Sequence, residues 1–529
     1  MTARLRVDTV SAAVRAQAER WRADRLMTRL WDRDPTVWSD TDVPELTDRL
    51  GWLTLPTSSR DLVATIRDLH EDAGRLGITD IVLCGMGGSS LAPEVFAATL
   101  PRKSTDPLLT VLDSTHPDAV AAVNAATTPQ RTWYIIASKS GTTLETMSFF
   151  HWFWVRASDV LQSPGDHFIA ITDPGTPLEN LAKERIFRKC VPADPTVGGR
   201  YSALTAFGLV PAGLVGANTE ALLANAASAA VRCGPEVELL ENPAFVLGAS
   251  LATNALQGID KAHIIAANPV ASFPIWVEQL IAESTGKDGK GIVPVDGGPM
   301  PSRAKDGTVV PVGAREVPDA TLTLLVDDPY DIAGAMFIFE LATAIAGEML
   351  GIHPFNQPDV QLAKLLAASA MAGELDDTAP APLDIDSGDV TGAIRDLLAN
   401  TTPSYVSVQA YLAPTTGTDE VLEALRSVID TRCGVYTTAG YGPRFLHSTG
   451  QLHKGGPPGG AFIQVMDKPR TELFVPETDF SFNQLITAQA AGDRAALVDR
   501  GRDVISIDLG QSTSTGLALL LDATRAALQ

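Results

Sequence analysis

The sequence predicts an α/β fold in which parallel sheets are flanked by helices. The main observation is a series of three strand–loop–helix units, whose apolar strand patterns cover Ile81–Cys84, Trp133–Ala137 and His167–Ile171. Each run is followed by a loop rich in Gly, Ser or Thr and then by a helical pattern, which is typical of a parallel sheet with crossover helices. Because ligands bind such sheets beyond the carboxyl ends of the strands, we expect the functional site in these loops.

The loop after the second of these strands, Ser138 to Thr143, is the most informative segment. It contains four hydroxyl side chains, one lysine and one glycine, namely Ser138, Lys139, Ser140, Gly141, Thr142 and Thr143. Unpaired N–H groups and the positive end of the helix dipole at such a place favour an anion. The loop lacks the spacing of a nucleotide P-loop, so a single phosphate monoester fits it better. On these residues alone, an ordinary helix start capped by Ser or Thr remains an open alternative.

A second loop, Gly85 to Ser90, follows the first strand of the series. Its glycines allow the backbone to approach a ligand closely, and Gly88 and Ser89 are the candidate contacts. The glycine spacing is not that of a dinucleotide-binding loop, so by itself this segment is weak evidence.

The composition limits the possible partners. The chain of 529 residues has 41 Lys and Arg against 63 Asp and Glu, a net charge of −22, which argues against general binding to nucleic acid or to anionic membranes. The four cysteines are scattered without a Cys-x-x-Cys pair, so neither a zinc site nor a disulfide framework is indicated. We expect a cytoplasmic protein without a signal peptide or a membrane-spanning segment.

The pattern along the chain predicts several units. We expect an amphipathic helical segment over 1–50, an α/β domain with the hydroxyl-rich loop over 51–205, a second α/β lobe over 206–375, a linker over 376–400 and a C-terminal subdomain over 401–529. Within the second lobe, helical patterns dominate from Ala203 to Glu283, Thr321–Val326 reads as a strand, and Ile332–Leu350 as a buried helix. The predicted C-terminal strands are Tyr405–Leu412, Cys433–Thr438, Ala461–Val465 and Glu472–Val475.

Four motifs occur in the order found in the phosphoglucose isomerase family, which the chain resembles. They are the loop 85–89, the loop 138–143, a first signature at 197–202 and a second signature at 355–364. A further segment, 442–456, is similar to the isomerase portion of bacterial transaldolase–isomerase fusions. The resemblance implies two sugar-isomerase domains and a C-terminal α/β subdomain. It also implies reversible conversion of D-glucose 6-phosphate to D-fructose 6-phosphate through an enediolate, as in glycolysis and gluconeogenesis, by a homodimer without metal or organic cofactor.

The resemblance assigns roles to single residues. Glu283, in the segment Glu283-Ser284-Thr285-Gly286-Lys287, matches the family's general base, and Gln279 matches a substrate contact. Arg200 matches the arginine that stabilises the enediolate, and Lys364 the lysine that helps to open the sugar ring. Without the resemblance, Glu283 and Lys364 would read as solvated side chains at helix surfaces.

Two features depart from the family pattern. Gln361 stands where the second signature has a glutamate, and the ring-opening histidine is absent from its usual place between the base and the lysine. His447 is the best candidate for that histidine, because Leu446 to Gln451 resembles the segment that surrounds it in short bacterial relatives; His453 and His353 are alternatives. The sequence leaves two other functions open, a sugar-phosphate-binding regulator without catalysis and an isomerase for another sugar phosphate such as mannose 6-phosphate.

Overall fold

The computed structural model describes residues 3–298, 301, 304–313, 317, 320–375, 379–400 and 403–529. The strands are β1 (Arg4–Val7), β2 (Asp80–Gly85), β3 (Leu108–Leu112), β4 (Thr132–Ala137), β5 (Phe168–Thr172), β6 (Lys189–Pro192), β7 (Lys261–Ala266), β8 (Val293–Asp296), β9 (Gly307–Val312), β10 (Leu322–Leu325), β11 (Leu383–Asp384), β12 (Tyr405–Tyr411), β13 (Tyr436–Tyr441), β14 (Gly460–Met466) and β15 (Asp503–Asp508).

The α-helices range from four to nineteen residues. They are α1 (Ala12–Ala23), α2 (Leu26–Trp31), α3 (Leu55–Ser58), α4 (Leu62–Leu76), α5 (Leu91–Thr99), α6 (Pro117–Ala126), α7 (Leu144–Ser158), α8 (Pro177–Glu184), α9 (Ala206–Leu214), α10 (Thr219–Arg232), α11 (Pro243–Ala255), α12 (Phe273–Thr285), α13 (Ile332–Leu350), α14 (Pro358–Met371), α15 (Val390–Asn400), α16 (Thr416–Cys433), α17 (Gly450–Gly455), α18 (Phe482–Asp499) and α19 (Thr513–Ala527).

The first sheet has the order β3-β2-β4-β5-β6 and is parallel throughout. Its three central strands are the apolar runs recognised in the sequence, and β2, β4 and β5 are almost wholly buried on both faces. The α/β fold with parallel sheets flanked by helices is therefore confirmed. The loops after β2, β4 and β5 lie together at one edge of this sheet, because the carboxyl ends of parallel strands meet there.

The second sheet has the order β1-β10-β9-β7-β8. Its strands β7 to β10 pair in parallel, whereas β1 pairs antiparallel with β10, with Arg4 opposite Leu325. Two of these strands correct the sequence reading: β1 lies in the segment 1–50 expected to be helical, and β7 lies inside the helical stretch from Ala203 to Glu283. Strand β1 alternates polar and apolar residues, but over only four residues, and β7 has no regular alternation, so periodicity did not reveal either strand.

The third sheet has the order β11-β15-β14-β12-β13 and is parallel. It contains three of the four predicted C-terminal strands, but Glu472–Val475 forms only an isolated bridge between Phe474 and Ser481. Val475 is instead buried against the aromatic side of α7, in the cluster that holds Phe149 and Phe482. The segment that was predicted as a strand is therefore a loop, and its apolar residue Val475 packs in this cluster. The expected linker, 376–400, holds β11 and α15, and its residues 376–378 lie outside the described residues.

The long helix α13 is almost wholly buried, as the sequence predicted, and most of its residues belong to the hydrophobic core that also contains Trp52 and Phe245. By length and composition alone, Pro329–Leu350 could cross a membrane, but 89 % of its most apolar window is buried inside the protein. Such burial identifies it as a core helix whose neighbours cover it on all sides.

Candidate active site

Glu283 lies on the buried face of α12, one helical turn after Gln279. Its carboxylate is 6 % exposed, and its Oε1 is 3.4 Å from Nη1 of Arg200. The side-chain amide of Gln279 donates to the other carboxylate oxygen, Oε2, at 3.1 Å. The base predicted from the sequence is therefore buried, oriented and next to a fixed cation.

Arg200 is held by the chain on several sides. It sits in the short 3-10 turn Gly199–Tyr201, and its Nε donates to the hydroxyl of Ser284 at 2.7 Å. Its Nη2 donates to the carbonyl oxygens of Pro354 at 2.6 Å and Asn356 at 3.2 Å, both beside or within the second signature. Because the guanidinium cannot rotate away, its charge stays beside Glu283.

The glycine loop after β2 packs directly on the segments that carry Arg200, Gln279 and His447. Gly87 has φ +54°, and a Cβ there would lie 2.6 Å from the carbonyl oxygen of His447 and 2.8 Å from Nε2 of Gln279. A Cβ on Gly88 would lie 2.0 Å from the carbonyl oxygen of Gly199. The loop therefore needs glycine, because its backbone touches the segments that carry Arg200 and His447. Ser89, the other predicted contact in this loop, is buried in the turn Gly87–Ser89.

His447 ends the 3-10 turn Arg444–His447 that follows β13. Its backbone oxygen accepts a hydrogen bond of 2.7 Å from Gln279, whose amide thus links the base to the histidine segment. Its Nε2 lies 3.0 Å from Oε1 of Glu145. The third sheet therefore delivers this histidine to the site, although it follows Lys364 in the chain.

Glu145 is a site residue that the sequence analysis missed. It lies in the first turn of α7, two residues after the hydroxyl-rich loop. Its carboxylate also accepts a hydrogen bond of 2.8 Å from the side-chain amide of Gln489 on α18. Burial alone would raise the pKa of Glu145, but His447 and the charge of Lys364 lower it, so the carboxylate stays ionised. An acidic residue immediately after a phosphate-type loop was the available signal, whereas no pattern pointed to Gln489.

The hydroxyl-rich loop closes on itself. Ser138 and Thr143 share a hydrogen bond of 2.9 Å, as do Ser140 and Thr142. The Nζ of Lys139 donates to Asp173 at 2.6 Å. Gly141 has φ +68°, which gives the loop its tight turn. The hydroxyls lie beside the amino end of α7, and Lys139, at the edge of the loop, is paired with Asp173.

Lys364 is exposed on α14 and contributes its charge to the surroundings of Glu145. The side chain of Gln361 lies outside the described part of the chain. Lys287, four residues after Glu283, is buried. Its Nζ donates a hydrogen bond of 2.6 Å to the backbone oxygen of His353. Burial, together with neighbouring Arg200, holds the pKa of Lys287 well below its usual range.

The two alternative histidines are engaged elsewhere. Nε2 of His353 is 2.9 Å from the backbone oxygen of Pro44, and burial lowers its pKa to about 4. His453 is buried behind the third sheet, where its Nδ1 contacts Gln409 at 3.1 Å, and burial lowers its pKa well below the usual range. Neither imidazole contacts Glu145 or Glu283 in the hydrogen bonds of the described residues.

Several known proteins are similar to this chain. The family model described as phosphoglucose isomerase matches residues 59–297, which include Arg200, Gln279 and Glu283; Lys364 and His447 lie beyond that range. A glucose-6-phosphate isomerase of Rubrobacter xylanophilus is 27 % identical over 62 % of this chain and 90 % of its own length. One from Symbiobacterium thermophilum is 29 % identical over 59 % of this chain and 85 % of its own.

Two solved structures share the fold. A hypothetical protein of Thermus thermophilus has a TM-score of 0.58 at 24 % identity, covering 70 % of this chain and 100 % of that chain. A glucose-6-phosphate isomerase of Chlamydia trachomatis has a TM-score of 0.52 at 20 % identity, covering 66 % of this chain and 78 % of that chain. The chain is therefore similar to the phosphoglucose isomerase family over residues 59–297, and to glucose-6-phosphate isomerases over most of their length.

Proposed function

We propose that this protein interconverts D-glucose 6-phosphate and D-fructose 6-phosphate. The observation that carries the proposal is the pairing of buried Glu283 with Arg200, joined through Gln279 to the His447–Glu145 pair. A protein that only bound the sugar phosphate would have no use for a buried carboxylate oriented beside a fixed cation. The names of the relatives, glucose-6-phosphate isomerase, support this choice of substrate.

In the proposed reaction Glu283 removes the proton from C2 of the open-chain aldose. The electron pair moves towards the carbonyl at C1, and the negative charge of the resulting enediolate lies next to Arg200. Glu283 returns the carbon-bound proton to C1, and the proton of the C2 hydroxyl passes to the oxygen on C1, which leaves a hydroxyl at C1 and the ketone at C2. No atom or electron is gained or lost overall. General base catalysis of this type contributes roughly 10²–10⁴-fold.

Ring opening needs a proton at the ring oxygen and removal of one from the C1 hydroxyl. We assign this exchange to His447, whose imidazole is oriented by Glu145, with Lys364 as a nearby positive charge. The phosphate is assigned to Ser138, Ser140, Thr142 and Thr143 at the start of α7, with Lys139 at the rim and with Gly88 and Ser89 along the sugar. A homodimer in the cytoplasm remains part of the prediction.

The test is turnover of purified protein with [2-²H]glucose 6-phosphate. We expect fructose 6-phosphate to form, deuterium to appear in the water because the base exchanges it, and the rate to be unchanged by EDTA. Mannose 6-phosphate, tested in parallel, is expected to turn over more slowly. Binding of glucose 6-phosphate without product or deuterium release would contradict the proposal and favour the regulatory function, whereas faster turnover of mannose 6-phosphate would change the substrate.

A further inference from the structure

The turn that carries His447 is too short to hold its own position. Residues Arg444–His447 form a single 3-10 turn between β13 and α17, and hydrogen-bond geometry in such turns is poor. Its place must therefore be set by contacts with neighbouring elements. On one side Phe445 packs on the ring of Tyr411, with the ring centroids 5.5 Å apart, and on the other Gln279 holds the backbone oxygen of His447.

Arg444, the first residue of this turn, joins it to the first sheet. Its Nη2 pairs with Glu94 on α5, and its Nη1 lies 3.0 Å from Oδ2 of Asp113, directly after β3. Ser90 donates to the same oxygen of Asp113 at 3.1 Å. Burial alone would lower the pKa of Arg444, but Asp113 and Glu94 raise it, so the guanidinium stays charged beside them.

The spacing of Arg444 and His447 couples these contacts to the catalytic pair. In a 3-10 turn the side chains at positions i and i+3 eclipse each other, so both point from the turn in one direction. Arg444 reaches Glu94 and Asp113, and His447 reaches Glu145, all on the first sheet and its helices. A shift of the turn at one contact therefore moves the other.

We propose that Arg444 is a positioning residue whose paired contacts with Glu94 and Asp113 set the distance between His447 and Glu145. Its kinetic consequence rests on the proposed function, because it acts on the ring-opening histidine. Removing Arg444 leaves Asp113, which is 7 % exposed, facing Glu94 without the cation between them. The two carboxylates then repel each other with no link to the turn, and the imidazole loses its fixed place.

The site also allows chemical rescue. A cleft of about 470 Å³ has Glu94, Asp113 and Arg444 in its lining, and the side chain of Arg444 is 22 % exposed. In the Arg444→Ala variant, free guanidinium can therefore enter the space left by the side chain. Methylammonium is the matched control, because it carries the same charge without the planar fork that pairs with carboxylates.

The kinetic test compares Arg444→Ala with Arg20→Ala. Arg20 likewise forms a two-pronged pair, with Glu348 at 2.8 and 2.6 Å, but joins α1 to α13. We expect Arg444→Ala to lower kcat/KM about 100-fold on ring-closed glucose 6-phosphate, since a displacement near 1 Å can have that effect. On a four-carbon aldose phosphorylated at its terminal hydroxyl, which cannot close a ring, we expect a loss below about threefold, because no ring opening is needed. Guanidinium, but not methylammonium, should restore the rate of Arg444→Ala on the ring-closed substrate. Arg20→Ala should not show a larger loss on the ring-closed substrate than on the open-chain one.

A second readout does not depend on turnover. The imidazole N–H that His447 shares with Glu145 gives a downfield proton resonance, assigned by its loss in His447→Gln. We expect that resonance to vanish in Arg444→Ala, return with guanidinium, and persist in Arg20→Ala. If the wild type does not turn over glucose 6-phosphate, the proposed function fails while this readout still tests Arg444. If Arg444→Ala does not fold, Arg444→Lys takes its place, because lysine keeps the positive charge without the planar fork of the guanidinium. An unchanged resonance, or equal losses on both substrates without rescue, would overturn the positioning role.

Discussion

Nε2 of His447 lies 3.0 Å from Oε1 of Glu145, although 302 residues separate the two in the chain. The histidine comes from a turn after β13 of the third sheet, and the glutamate from the helix after the hydroxyl-rich loop of the first sheet. The side-chain amide of Gln489 on α18 donates a hydrogen bond to the same oxygen. The side-chain carbonyl oxygen of Gln489 in turn accepts a hydrogen bond of 2.7 Å from the hydroxyl of Thr115. The C-terminal unit therefore contributes both the histidine and a residue that fixes its partner.

Replacing His447 by Gln is expected to reduce turnover of ring-closed glucose 6-phosphate by roughly 10²-fold, the lower end of general acid–base contributions. Turnover of a sugar phosphate that stays open-chain should fall far less in this variant, because the carbonyl of that substrate is already free. His453→Gln provides the comparison, because that imidazole is buried behind the third sheet. The measurement is kcat/KM on both substrates, and equal losses on the two would refute a ring-opening role for His447.

Glu283→Gln should lower kcat by roughly 10²–10⁴-fold while the dissociation constant for glucose 6-phosphate changes little. The amide keeps the shape of the side chain and its contact with Gln279 but cannot accept the proton from C2. Release of deuterium from [2-²H]glucose 6-phosphate should fall in parallel with kcat. Glu238→Gln, at an exposed ion pair with Arg22, is the control that should leave both unchanged. Full deuterium release by Glu283→Gln would exclude it as the base.

Gly87→Ala is expected to reduce activity beyond its effect on stability. Its φ of +54° disfavours a Cβ, and that Cβ would press on the carbonyl oxygen of His447 and on Gln279. Gly77→Ala is a matched control, because Gly77 has φ +69° at the end of α4, where an added Cβ would meet nothing within 4 Å.

Both glycine variants should lose about 1–2 kcal/mol in the free energy of unfolding from the left-handed backbone. Only Gly87→Ala should also lower kcat/KM when both are assayed well below their melting temperatures. If Gly77→Ala lost as much kcat/KM, the close approach of Gly87 to the histidine turn would not matter for catalysis.

The contribution of Glu278 to the stability of the protein should decrease as the pH rises from about 4.3 to about 8. Burial, with the nearby carboxylate of Asp296, raises the pKa of Glu278 to about 8, whereas an unfolded Glu titrates near about 4.3. Between these values the folded state holds a proton that the unfolded state has lost. The stabilisation is therefore complete below the lower value and disappears as the pH passes the upper one.

Chemical unfolding at a series of pH values measures this effect. For one such group the free energy of unfolding falls by up to about 1.4 kcal/mol per pH unit in that window. Glu278→Gln should make the slope of the profile less negative than in the wild type, whereas Glu179→Gln, in an ion pair with Lys183 at the surface of α8, should leave the slope unchanged. A slope that Glu278→Gln does not alter would contradict the prediction.

Local pattern was sufficient for much of the fold. The buried strands β2, β4 and β5 and the helix Ile332–Leu350 came from apolar runs of the right length, and the glycine and hydroxyl loops followed from what stands at the strand ends. Strand β1 was misread because its alternation covers only four residues and its pairing with β10 lies far away in the chain. The loop 472–475 was misread because packing against α7 outweighed local preference.

The sequence by itself determined the class of fold, the family motifs and the residue types that the proposed reaction needs, because these depend on spacing within short segments. Only the tertiary structure decided that His447 reaches the site from the third sheet, that Glu145 and Gln489 orient it, and that His353 and His453 are engaged elsewhere. The physical reason is that a contact across 302 residues depends on how three sheets pack, and no periodicity within the chain encodes that distance.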